Sequence, residues 1–111
     1  MRGQRAALPP RDVKLDVLVT AARYDSETGE LKMAQGYEPM GYVWSDIRLY
    51  SREELIQRIR DGQKIAYGDD VRLATDFEVR GEVTLVERDG DEILLAEGEA
   101  GGTDDLGVPR F

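Results

Sequence analysis

From residue 73 to residue 85 every second position is apolar or small: Leu73, Thr75, Phe77, Val79, Gly81, Val83 and Leu85. Arg72, Asp76, Glu78, Arg80, Glu82 and Thr84 take the alternate positions. A period-two run of this length has one good backbone solution, an extended strand with one buried face, because a helix would scatter the same residues around its whole circumference. Gly81 in its interior predicts a bend or bulge of the kind found in barrels and sandwiches. A chain built around such a strand must supply neighbours for it, and the rest of the sequence is read for them.

Val13, Leu15, Val17, Val19 and Ala21 alternate with Lys14, Asp16 and Thr20, which predicts a first half-buried strand. Asp25-Ser26-Glu27-Thr28-Gly29 reads as a hairpin loop with glycine at the positive-φ position, and Leu31 and Met33 begin the return strand. Gly36 to Pro39 ends it, and a third strand is predicted from Gly41 to Tyr50. Ser51-Arg52-Glu53-Glu54 is a capping box, Leu55, Ile56 and Ile59 form a narrow apolar stripe, and Gly62 is a stop, so a short helix follows. Lys64 to Tyr67 reads as a short strand, Gly68-Asp69-Asp70 as a turn, and Asp89-Gly90 as the tip of a last hairpin whose return runs from Glu92 to Glu97.

These elements predict a mainly β (α+β) fold: a small, partly open barrel or strongly bent antiparallel sheet of about six strands, with one short helix between strands 3 and 4. The chain length of 111 residues fits one domain. Its parts are read as a flexible N-terminal arm (1–12), a β-rich domain (13–100) and a C-terminal tail (101–111) released by Gly101-Gly102.

Composition narrows the chemistry. There is no cysteine and no histidine, which removes thiol nucleophiles, imidazole acid/base catalysis, disulfides and ordinary zinc sites. Glycine-rich phosphate loops and calcium-loop spacing are missing, and the Asp69-Asp70, Asp89-Gly90-Asp91 and Asp104-Asp105 clusters read as turns and tail, so no cofactor or metal is expected. The apolar stretch Ala6-Ala7-Leu8 is too short for a signal-peptide core and no window suits a bilayer, so a cytoplasmic protein without membrane contact is expected. The net charge is −8, and its distribution is uneven: residues 73–111 hold eleven acids against three bases, residues 41–72 six of each. That disfavours nucleic acid as a partner, since phosphate binding needs a cationic face.

The third predicted strand carries the candidate site. Val43, Ser45, Ile47 and Leu49 read as its core side, and Tyr42, Trp44, Asp46, Arg48 and Tyr50 as an aromatic-charged face. Aromatic planes beside guanidinium groups suit stacking recognition, and Arg52 and Arg58 extend the cationic part. The competing expectation is that Tyr42 and Trp44 form a second small core. In the tail, Leu106, Val108 and Phe111 are more apolar surface than a solvated peptide needs, so they are expected to contact the body. The same stretch, acidic residues followed by Pro109 and Phe111, resembles the C-terminal tip of bacterial single-stranded-DNA-binding proteins, which docks partner proteins. It has a thinner acidic run, and Arg110 stands between the proline and the phenylalanine.

The function expected from these features is a non-enzymatic binding or adaptor domain that meets a protein partner through the aromatic-charged face and the tail. Single-stranded nucleic-acid binding by Tyr42, Trp44 and Arg48 is the alternative, and a carboxylate- or metal-dependent enzyme the third reading.

Overall fold

The computed structural model describes residues 15–40, 43–71, 76–99 and 101–111; at 43, 70, 71 and 76–78 only the backbone is considered. Eight strands and one helix follow in the order β1 (Val17–Tyr24), β2 (Leu31–Tyr37), β3 (Pro39–Met40), β4 (Val43–Trp44), β5 (Arg48–Tyr50), α1 (Arg52–Arg60), β6 (Ile65–Val71), β7 (Asp76–Arg88) and β8 (Asp91–Ala96). Six of the strands form a mixed, unclosed sheet in the order β5-β2-β1-β6-β7-β8, and β3 pairs with β4 in a separate ribbon. The fold is thus mainly β, with the helix between the third predicted strand and the next.

Local chemistry sets the connections. In the β1–β2 loop, Asp25 Oδ1 accepts from the amides of Glu27 (2.8 Å) and Thr28 (2.9 Å), and Gly29 takes φ +78°. Those two amides hold the Asp25 carboxyl below its ordinary value. The Ser51 hydroxyl accepts from the Glu54 amide at 3.1 Å and starts α1. At its other end Gly62 has φ +89°, and the amides of Gly62 and Gln63 donate to the carbonyls of Ile59 (3.0 Å) and Arg58 (2.9 Å), which is a Schellman closure. Asp89 and Gly90, both at positive φ, turn β7 into β8.

Two features depart from what the sequence predicts. β1 pairs in parallel with β6, Val17 to Ile65 and Val19 to Tyr67. The helix is the reason: a strand–helix–strand connection carries the chain back to the end it started from, so β6 runs in the direction of β5 and of β1. The second departure is β6 itself, which continues through Gly68, Asp69 and Asp70. These residues pair with β7 rather than turning, Asp69 opposite Glu78 and Asp70 opposite Phe77, so ladder hydrogen bonds outweigh a local turn preference.

The core lies between the sheet and α1, with Val17, Val19, Ala22, Leu31, Ala34, Tyr50, Leu55, Ile65, Leu94 and Leu106 among its members. Parity in β1 changes from Val19 to Ala22 at a register shift against β2, a bulge that spares the strand from turning its apolar side outward. A second shift lies opposite Gly81, where a Cβ would come within 2.9 Å of the Tyr67 ring and 2.6 Å of Glu97 Oε1. Glycine there lets Tyr67 lie flat on the strand.

Residues 101–111 lie across the sheet. The Asp105 amide donates to the Leu94 carbonyl (2.8 Å), and the Asp105 carbonyl accepts from Ala96 (2.7 Å) on the outer edge of β8. Farther along, the Pro109 carbonyl accepts from Ala22 (2.9 Å) and the Phe111 amide donates to the Ala22 carbonyl (3.1 Å) on β1. The segment therefore straps β8 to β1. Leu106 is fully buried and Val108 packs partly into the core, whereas Phe111 keeps 37% of its surface exposed, with Arg23 4.7 Å above its ring.

Candidate functional site

The site begins where the third predicted strand breaks. The Ser45 amide donates to the Glu38 carbonyl (2.8 Å), while the Ser45 hydroxyl accepts from the Glu38 amide (2.9 Å) and donates to the Asp46 carbonyl (2.8 Å). These bonds close the β3–β4 ribbon, bury Ser45, and bend the chain at Asp46 before β5 begins. The stretch expected as one strand from Gly41 to Tyr50 is two short ones.

The break reverses the faces. β5 registers against β2 with Tyr50 opposite Ala34, and both side chains enter the core, Tyr50 at 1% exposure. Leu49, opposite Gln35, must then point outward: it is 58% exposed and Ile47 48%, although strict alternation puts both on the core side. Tyr50, expected on the exposed face, is corrected to a core residue. Its hydroxyl donates to Glu38 Oε2 at 2.8 Å, and burial together with that carboxylate holds the phenol well above its ordinary value.

The cations divide in the same way. Arg58 donates to Glu38 (3.2 Å), Glu54 (3.4 Å) and Gln63 (2.9 Å) and lies over the Tyr50 ring, so it is engaged within the fold. Arg52 is spent more completely: its Nε meets Asp104 Oδ2 at 2.7 Å and an Nη2 donates to the Glu92 carbonyl. A cation at a helix start opposes the dipole, and this buried acid accounts for its presence there. Arg48 is exposed, Trp44 is half-buried, and Tyr42 lies outside the described residues. The predicted face is therefore not a continuous stacking platform.

What the break exposes instead is apolar. Met40 (54%), Ile47 and Leu49 are three of the four large apolar side chains exposed among the described residues, and Phe111 is the fourth. Met40 lies on the β3–β4 ribbon, and Ile47 and Leu49 lie at β5, the end strand of the six-stranded sheet, which no further strand flanks among the described residues. Period-two reading could not find this surface, because it assumes an unbroken strand across residues 45–47.

A recess of about 380 Å³ lies near the strap, lined in part by Glu30, Arg52, Arg88, Asp91, Glu92 and Asp104. Its buried members are already partnered: Asp104 binds Arg52 and the amides of Leu31 and Leu94. Among the described residues no group of three or more acids is placed to hold a metal ion, and no helix is long and apolar enough to cross a membrane. Comparison with family models, with curated proteins and with solved structures returns no match.

Proposed function

We propose that the chain is a non-enzymatic protein-interaction domain that offers the exposed apolar side chains Ile47 and Leu49 at the β5 edge, together with Met40 on β3, to a protein partner. The observation that carries this reading is the exposure of Ile47 and Leu49 at the β5 end of the sheet, which nothing covers among the described residues, with Met40 exposed on the separate β3–β4 ribbon. Exposed apolar surface beside unpaired backbone groups is costly for an isolated chain and is what strand-adding partners use. Nucleic-acid binding has less support, since Tyr50 is in the core and Arg52 and Arg58 are committed to carboxylates. A photo-crosslinking residue in place of Leu49 tests the reading in cells. A protein adduct that disappears with Ile47→Asp, at an unchanged melting temperature, is the expected result; no protein adduct overturns it.

A further inference from the structure

The two ends of the sheet are treated differently. The outer edge of β8 is covered by the strap through Asp105, whereas β5 is paired, among the described residues, only on its inner side, with β2. The outer N–H and C=O groups of an edge strand accept another extended segment wherever the side chains agree; here that edge is short, because β5 spans Arg48–Tyr50 and the Asp46 carbonyl before it already accepts from the Ser45 hydroxyl. Along this rim the exposed residues run Asp46, Ile47, Arg48, Leu49. Among the described residues neither Asp46 nor Arg48 has an ion-pair partner.

The order acid, apolar, base is complementary to its own reverse. Laid antiparallel to a copy of itself with a two-fold axis through Ile47, the segment sets each Asp46 against the other copy's Arg48 and each Ile47 beside its equivalent. Opposite charges at facing positions favour pairing and like charges oppose it. Moving the axis to Arg48 or to Asp46 brings two bases or two acids together, and moving it to Leu49 sets Arg48 against Tyr50 and forms neither ion pair, so the axis through Ile47 is the register that forms both pairs. The net charge of −8 opposes self-association in general. Yet the excess acid lies in residues 73–111, on β7, β8 and the strap, while the stretch containing β5 is balanced.

Building on the interaction reading above, we infer that the protein partner of this edge is a second copy of the chain, joined in an isologous two-fold contact centred on Ile47. Because Asp46 lies at a bend just before β5, the contact is short, with Leu49 adding apolar surface at its flank.

Sedimentation equilibrium of the full chain, from micromolar to millimolar concentration, tests this. The expected result is a reversible monomer–dimer equilibrium. Asp46→Arg and Arg48→Asp should each weaken it about ten-fold, since both copies of the ion pair become like-charge contacts, and the double reversal should restore it. Melting temperatures of the variants check that each monomer is folded. A native chain that stays monomeric, a dimer indifferent to both single reversals, or a double reversal without recovery overturns the inference. A monomeric native chain whose Leu49 crosslinker captures a different protein overturns the second copy and leaves the interaction reading standing; a monomer with no adduct overturns both.

Discussion

The Asp104 carboxylate accepts from the amides of Leu31 (2.7 Å) and Leu94 (2.9 Å) and from Arg52, and so ties β2, β8, α1 and the strap at one point. Its side chain has no exposure to solvent. Asp104→Ala would leave two buried amides without an acceptor and a largely buried guanidinium without its carboxylate, held only by the Glu92 carbonyl. The expected loss is about 3 to 5 kcal/mol, read from urea denaturation midpoints at constant slope. Tyr24 and Tyr50 set a different limit. Burial is the main cause that raises both phenols, so the folded state holds them neutral where the unfolded chain would ionise. Their contribution is complete below about pH 10 and is lost as pH rises from there through the folded values. Absorbance titration should therefore show phenols that ionise late, and stability should fall above about pH 10. Tyr50→Phe should flatten that fall.

The strap behaves as an element of the sheet although it is not a strand of it. Its apolar contribution is concentrated in Leu106, which is fully buried, rather than in Phe111, which keeps over a third of its surface exposed. Leu106→Ala is expected to cost about 2 to 5 kcal/mol, a melting temperature lower by about 10 °C or more. Phe111→Ala should shift it by only a few degrees; calorimetry of the two variants checks the order. Elements differ in how far the amino-acid order alone reveals them. Both hairpin loops, the Ser51 cap and the Gly62 stop are legible because each is settled by neighbours a few residues away. The facing of β5 is not, because it depends on the pairing of Tyr50 with Ala34 and on the Ser45–Glu38 bonds that end β4.

At the scale of the whole molecule, distant parts of the chain interlock. β1 lies beside β6, and Ala22 bridges to Arg110. Arg52 at the start of the helix holds Asp104 in the strap. Arm, domain and tail read as successive segments, but residues 101–111 complete the core through Leu106 and close the β8 edge. Among the described residues one sheet end is covered and the other is not, so the sheet can be extended at β5. Residues 41–72, which include β5, carry balanced charge, and residues 73–111, which include β8 and the strap, carry the acid excess.

The amino-acid order by itself determined that the fold is mainly β, the position and caps of the helix, the two hairpin turns and the exclusion of thiol and imidazole chemistry. These follow from residue type and from separations of a few residues, where backbone preference and capping bonds act without help. Tertiary structure alone decided that β1 and β6 run parallel, that Asp104 is buried among donors from three elements, and that Tyr50 turns inward while Ile47 and Leu49 turn out. Each of these depends on which distant backbone supplies the partner. In a strand a shift of one residue exchanges the two faces, so the pattern specifies the alternation, and the register chosen by the core specifies which side meets water.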